Sequence, residues 1–174
     1  TTAVLTALEK KGIIEYTYYE TFRNPNKGKN ITNTNDIILT DEQQKAYDNL
    51  YSQYLSQDGS VSLLYGITGS GKTQVFMKLV EAVYKEGKQV IVMVPEIALT
   101  PQTLSHFISR FGETVAVLHS GLSLGERLDE WKRIKTGKAK IVIGTRSAIF
   151  APCDNLGLII IDEEQEHTYK SEGT

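Results

Sequence analysis

A chain of 174 residues can hold one domain with its own core and a small appendage. Hydrophobic residues make up 40% and charged residues 23%, and the net charge of −2 with a pI near 5.9 gives no global basic field to attract nucleic acid. The single cysteine, Cys153, excludes an internal disulfide or a thiolate zinc cluster, so a packing role and a reducing, cytoplasmic setting are expected.

No apolar run reaches membrane-spanning length, and no signal-peptide pattern opens the chain. The sequence begins Thr-Thr-Ala without Met, so a piece of a longer protein is expected.

In chain order, Thr1 to Phe22 reads as a helix end (Val4, Leu5, Leu8) followed by a strand in which Ile14, Tyr16 and Tyr18 alternate with Glu15, Thr17 and Tyr19. Arg23 to Asp36 is rich in Asn, Lys, Gly and Thr and has no period, which is linker composition. From Ile37 onward strands and helices alternate. Thr40 can cap a helix carrying Ala46, Leu50 and Tyr54. Within it, the Gln43 amide can donate and accept, which suits the N6 and N7 edge of adenine; a Gln in a first helical turn can equally be solvated.

Val61 to Tyr65 is a short apolar run, read as a strand, that leads into Gly66-Ile67-Thr68-Gly69-Ser70-Gly71-Lys72-Thr73. This octet fits the phosphate-binding P-loop in full. Gly66, Gly69 and Gly71 let backbone N–H groups turn toward a phosphate, with Thr68 and Ser70 between them. The helix that follows, Thr73 to Glu86, aims its positive end at the anion. Lys72 would reach the β- and γ-phosphates and Thr73 would offer a hydroxyl to Mg²⁺.

Strands are expected at Gln89 to Val94, Val115 to Leu118, Lys140 to Ile143 and Leu158 to Ile161. Helices are expected from Pro101 (Leu104, Phe107, Ile108) and from Ser123, which makes a capping box with Glu126 ahead of Leu128, Trp131 and Ile134. Short apolar strands between amphipathic helices predict an α/β fold, mainly a parallel sheet covered on both faces, with ligands at the carboxyl ends of the strands.

The last strand delivers Asp162-Glu163-Glu164-Gln165 to that edge. Asp162 would hold the Mg²⁺ shell, and Glu163 would orient or deprotonate an attacking water, which favours hydrolysis over mere binding. Lys72, Asp162 and Glu163 are thus the expected catalytic residues. Gln165 is expected on the nucleotide side, within reach of a γ-phosphate.

Two further loops follow strands and start helices: Val94 to Gln102 and Gly144 to Ala148. Their Thr100, Gln102, Thr145, Arg146 and Ser147 suit the phosphates of a DNA backbone, or serve only as helix caps. The basic stretch Arg127, Lys132, Arg133, Lys135, Lys138 and Lys140 reads as the wet face of a helix more readily than as a nucleic-acid contact. His106, His119 and His167 have no metal-ligand spacing, and His119 reads as structural. The residues alone leave room for a nucleotide or small-molecule kinase and for a non-enzymatic NTP switch.

Taken together, Leu39 to Gln43, the P-loop, Val94 to Gln102, Leu118 to Ser123, Gly125 to Leu128, Ile143 to Ala148, Phe150 to Pro152, and Asp162 to Gln165 with Tyr169-Lys170 resemble the superfamily 2 helicases. More closely, they resemble the PriA family of primosomal replication-restart DNA helicases. The resemblance implies a RecA-like ATP-binding lobe over Ile37 to Thr174, with Thr1 to Phe22 as the tail of a winged-helix segment. It also implies ATP and Mg²⁺ as ligands, 3′-to-5′ unwinding, and forked and single-stranded DNA as substrate. Single-stranded DNA-binding protein and primosome or helicase-loading proteins would be partners, in a nucleoid-associated setting in bacterial cytoplasm.

Other superfamily 2 translocases share part of this pattern. The family's acidic motif usually ends in His where this chain has Gln165. Its zinc-binding cysteines, its second motor lobe and that lobe's arginine finger lie in other parts of such proteins, so zinc is expected only there. The piece by itself is expected to hydrolyse ATP weakly or not at all.

Overall fold

The computed structural model describes residues 2–17, 24, 26, 28, 31–32 and 35–169, the side chain of Thr168 excepted. The elements are α1 (Thr2–Lys10), α2 (Asp41–Ser56), α3 (Lys72–Lys85), β1 (Gln89–Met93), α4 (Pro101–Phe111), β2 (Val115–Leu118), α5 (Leu124–Lys135), β3 (Ile141–Gly144) and β4 (Leu156–Ile161), with short 3₁₀ turns between some of them. The four strands form one all-parallel sheet in the order β2-β3-β1-β4. Parallel neighbours need a crossover, and here helices and loops supply it.

Alternation within the strands splits the core in two. Val90, Val92, Val115, Ile141, Ile143 and Ile160 face α3 and α4, packing against Met77, Val80, Val83, Phe107 and Phe111. Ile91, Met93, Ala116, Leu118 and Val142 face the other way, toward Ile134 of α5 and Ala139 and Ala148. Both faces are thus covered, which is why β1 and β3 are buried at every position and apolar but for Gln89, whose side chain donates to the Ile134 and Ala139 carbonyls. Fold class and strand positions agree with the expectation from the sequence, with ends shifted by a residue or two.

Two expected strands differ. Ile14 to Thr17 joins no ladder, and Tyr18 and Tyr19 lie outside the described residues. Val61 to Tyr65 also joins no ladder, and Val61, Leu63 and Tyr65 are 96%, 73% and 90% exposed. A strand exists only where a neighbour answers its N–H and C=O groups. The sheet ends at β2 and β4, and the run before the P-loop pairs with neither outer edge, leaving its odd positions in solvent.

The stretch with linker composition is docked where it is described. Asn26 is buried, and its Nδ2 donates to the Val115 carbonyl at 3.1 Å. The Gly28 N–H donates to Glu113 Oε1 and the Thr32 N–H to the Ser109 carbonyl, at 2.6 and 2.8 Å. Arg110 Nη1 donates to the Asn35 carbonyl at 2.9 Å. A polar segment held by hydrogen bonds leaves no hydrophobic period, so composition could not reveal this contact.

Candidate nucleotide site and strand-end loops

β1, β2, β3 and β4 end in register: Met93 pairs with Gly144 and Ile161, and Gly144 with Leu118. Every loop with expected chemistry therefore leaves the sheet along one edge. Helix α3 precedes β1 through the turn at Glu86–Gly87 and packs against the sheet, so its amino end lies at that same edge. The P-loop forms this end. Ser70 N–H closes a turn on the Ile67 carbonyl at 3.1 Å, and Gly69 and Gly71 take φ of +82° and +79°, a left-handed backbone that glycine adopts without a steric penalty. Gly71 is the cap of α3 and has no capping side chain. The free N–H groups of the first turn thus remain available to an anion.

Lys72 folds back over the loop, its Nζ donating to the carbonyls of Gly66 at 2.6 Å and Ile67 at 3.1 Å. Thr73 sits one residue into the helix and is exposed, as are Thr68 and Ser70, while Gly66 is half-buried.

Gln43 does two jobs. Its Oε1 accepts from the Thr40 N–H at 3.0 Å, completing a capping box on α2, and its Nε2 donates to the Ser70 carbonyl at 2.9 Å. A Cβ on Gly71 would collide with that same Nε2. Gln43 thus touches the P-loop directly, a link that motif spacing did not reveal. The rings of Tyr47, Tyr51 and Tyr54 stack along α2, and Lys78 of α3 lies over the Tyr47 ring and donates to Gln44, joining the two helices. Both Tyr51 and Tyr54 hydroxyls donate to the Glu86 carboxylate, and burial followed by that bond pushes Tyr54 up to about 12.

Asp162 leaves the end of β4. Its N–H donates to the Met93 carbonyl at 2.9 Å, and its Oδ1 accepts the Glu163 N–H at 3.0 Å. Glu163 takes a φ of +49°, uncommon for a residue with a Cβ. The turn is held from behind: the Tyr169 hydroxyl donates to the Asp162 carbonyl at 2.9 Å and Glu166 N–H to the Glu163 carbonyl at 2.9 Å. Burial, and then the carboxylates of Asp162 and Glu163, push the Tyr169 phenol upward, so it remains a donor. Glu163 and Gln165 are exposed and Asp162 is half-buried. Among the described residues no three acidic, His or Cys groups gather into a metal cage. Thr73 and Asp162 share the sheet edge, a donor set suited to Mg²⁺, which takes one or two protein oxygens and completes its shell with phosphates and water.

The other loops interlock. Ser120 Oγ donates to Glu96 Oε1 at 3.3 Å, joining the loops after β2 and β1. The Thr145 N–H donates to the Leu118 carbonyl at 3.1 Å, joining those after β3 and β2. Thr100 caps α4, its Oγ1 accepting from the Thr103 N–H at 3.2 Å, and Gln102 is exposed in the first turn. Thr145 is only 5% exposed, so its place is inside the turn, whereas Arg146 and Ser147 are on the surface. His119 Nδ1 accepts from the Gly121 N–H at 3.1 Å, which agrees with a structural role.

The basic stretch is dispersed: Arg133 is buried against Glu130, Lys135 pairs with Asp154, and Lys140 lies over the Tyr84 ring. Burial raises the Cys153 thiol above its ordinary value, in keeping with packing. Among the described residues no helix is long and apolar enough to cross a membrane.

Residues 40–174 match the family model of the DEAD/DEAH box helicases. Among similar proteins, the replication restart protein PriA of Bacillus subtilis is 48% identical over 170 residues, covering 98% of this chain and 21% of that protein. The PriA of Haemophilus influenzae is 44% identical over 176 residues, 98% of this chain and 24% of that protein. That of Synechocystis is 55% identical over 108 residues, 62% of this chain and 13% of that protein. The chain thus spans about a fifth of the length of the first two relatives.

Proposed function

Since this chain belongs to the DEAD/DEAH box helicase family, we propose that it is the ATP-binding lobe of an ATP-dependent 3′-to-5′ DNA helicase that restarts replication at stalled forks. The observation that carries the reading is a glycine-rich turn at the amino end of α3, set at the sheet edge where β4 delivers Asp162 and Glu163. The similarity to replication restart proteins supports the choice of forked and single-stranded DNA as substrate.

In this reading the backbone N–H groups from Thr68 to Thr73 cradle the phosphates. Lys72 exchanges its two loop carbonyls for β- and γ-phosphate oxygens. Thr73 and Asp162 hold the metal, and Glu163 orients and takes a proton from the attacking water. Gln43 lies against the loop at the adenine side, and Gln165 is close to the γ-phosphate. Mg²⁺ held there would supply positive charge to offset the negative charge of the phosphates. Thr100, Gln102, Arg146 and Ser147 contact the DNA backbone from the strand-end loops, with Thr145 seating one of them.

Single-stranded DNA-binding protein and primosome or helicase-loading proteins are the proposed partners, and nucleoid-associated cytoplasm is the proposed location. Zinc belongs to other parts of the full-length protein.

The test is Lys72→Ala in the full-length protein, with ATP affinity and phosphate release measured with and without forked DNA. Loss of binding or turnover is expected, because the charge facing the β- and γ-phosphates is gone. Unchanged affinity and turnover would refute the assignment.

A further inference from the structure

The peptide group between Asp162 and Glu163 is held from both sides. Its carbonyl accepts from the Tyr169 hydroxyl at 2.9 Å, and its N–H donates to Asp162 Oδ1 at 3.0 Å. A peptide group is planar, so fixing both of its polar atoms fixes the whole plane. The bond to Oδ1 turns the Asp162 carboxylate with that plane, and the φ of Glu163 is a rotation measured from it.

The bonds of this turn close on themselves. The Glu166 N–H donates to the Glu163 carbonyl at 2.9 Å, the Tyr169 N–H donates to the Glu166 carbonyl at 3.3 Å, and the Tyr169 hydroxyl returns to the Asp162 carbonyl. The first two links are backbone to backbone and ask little of the residue type. The third depends on one phenol. The Tyr169 ring packs against the apolar cluster that contains Ile91, Met93, Leu118 and Ala148. A ring with two side-chain torsions, anchored on a close-packed core, is a stiff post. The Asp162 N–H, bonded to the Met93 carbonyl at 2.9 Å, fastens the start of the turn to the sheet.

Glu163 needs such a post. At a φ of +49° it lies in the left-handed region, where a residue with a Cβ stays only if its neighbours hold it. Rotation of the Asp162–Glu163 plane would release the Oδ1 bond and the Glu163 backbone together. We propose that Tyr169 is a positioning residue for ATP hydrolysis: through the Asp162 carbonyl it fixes the peptide plane that aims the Asp162 and Glu163 carboxylates. This rests on the roles proposed above for those two residues. The phenol acts through the backbone and needs no contact with nucleotide. The phosphate grip lies on another segment, the P-loop with Lys72, so ATP affinity should not depend on it. A packing role alone would need the ring of Tyr169 but not its hydroxyl, and that difference separates the two roles.

The test uses the full-length protein, with Tyr169→Phe, Tyr169→Leu, Glu163→Gln and the double variant Glu163→Gln with Tyr169→Phe. Tyr169→Phe should keep the thermal midpoint and the KM for ATP, and should lower kcat in forked-DNA-stimulated phosphate release about ten- to a hundredfold. Amide hydrogen exchange over residues 162–169 should quicken in the nucleotide-free variant. Tyr169→Leu should lower the thermal midpoint as well. In single-turnover release the double variant should stay within about twofold of Glu163→Gln, because one residue acts through the other.

Wild-type kcat in Tyr169→Phe, or amide exchange identical to wild type, would overturn the proposal. If Lys72→Ala is inactive in the same assay, the reading of the ATP site still stands. Joint loss of ATP affinity and thermal midpoint in Tyr169→Phe would make Tyr169 a packing residue and would also overturn it, as would losses that add in full in the double variant. Turnover retained in Lys72→Ala would remove the reading of the site and this proposal together.

Discussion

The side-chain amide of Gln43 and the backbone carbonyl of Ser70 are joined by a 2.9 Å hydrogen bond that ties the first turn of α2 to the P-loop. The bond is possible because Gly71 has no Cβ: an added methyl group would collide with Gln43 Nε2, and at a φ of +79° would strain the backbone as well. Gly71→Ala should therefore cost about 1–2 kcal/mol from the left-handed backbone alone and distort the loop. Fluorescent ATP-analogue binding should fall at least about tenfold, and the thermal midpoint should drop. Wild-type affinity in Gly71→Ala would mean that the contact does not shape the loop. Gln43→Ala should be milder, at about 1 kcal/mol of helix capping, with a smaller loss of nucleotide affinity.

Glu163 stands in a left-handed conformation beside Asp162, and the turn keeps it there through the Tyr169 and Glu166 bonds. Strain of this kind persists where neighbours over-determine it. Glu163→Gln keeps size and fold but removes the base. In the full-length protein ATP binding should survive while hydrolysis falls about 10²–10⁴-fold. Single-turnover phosphate release alongside equilibrium binding measures the two separately. Equal loss of both would place Glu163 in binding rather than in proton transfer.

Arg146 is the exposed cation of the interlocked strand-end loops, whereas Thr145 beside it is buried. In the full-length protein Arg146→Ala should weaken forked-DNA binding and DNA-stimulated hydrolysis but leave nucleotide affinity unchanged. The slope of log affinity against log salt should flatten by about one phosphate contact. An unchanged slope and affinity would move the DNA path elsewhere.

Glu81 binds α3 to α4. Its carboxylate pairs with Arg110 and with Lys85, the latter at 2.7 Å. Burial acts to raise its pKa, but the Lys85 and Arg110 bonds outweigh it and hold the carboxyl below its usual range. A depressed folded-state value means that the folded chain binds fewer protons than the unfolded one through that window. Its stabilisation is present above the unfolded-state value and is lost as pH falls through the folded one. Glu81→Gln should lower stability at neutral pH and flatten the acid limb of the denaturation midpoint against pH. An acid limb identical to wild type would leave the ion pair without a stabilising part.

The parts of this site legible in the sequence were those fixed by local chemistry. Glycines at fixed spacing before a helix, and an acidic pair after a continuous apolar run, announce the P-loop and the Asp162 turn without reference to the rest of the fold. The Ser123–Glu126 and Thr40 caps were likewise local, and both formed. Long-range relations were not legible. Val61 to Tyr65 has strand chemistry, yet pairing depends on a neighbour, and sequence carries no record of which edges are taken. The Gln43 to Ser70 bond, the Tyr169 to Asp162 bond and the docked Asn26 link residues whose separation follows no period. The basic run Arg127 to Lys140 misled by composition, because Arg133 in the middle of it faces inward.

That inward Arg133, bonded to Glu130 with both side chains 3% exposed, sets up the last prediction. Burial pushes the Glu130 carboxyl up, and the guanidinium works against that shift. Arg133→Met removes the counter-charge and the donor to the Glu113 and Val115 carbonyls, and should cost about 3–5 kcal/mol. Without Arg133, burial and the Asp129 charge are opposed only by the Val117 N–H bond, and the folded-state pKa of Glu130 rises further above the unfolded one. A raised value means that the folded state binds the extra proton, so stability is fully present below the unfolded-state pKa and declines as pH rises through the folded one. Arg133→Met should therefore lose more stability at about pH 8 than at about pH 5, both on the far side of the ordinary carboxylate value. Adding Glu130→Leu should recover most of the loss and abolish the pH difference, since an apolar pair needs no counter-charge. Urea midpoints of the two single variants and the double variant at both pH values measure this. If the double variant proves no more stable than Arg133→Met, the destabilisation arises from the unanswered carbonyls of Glu113 and Val115 and not from an unpaired buried carboxylate.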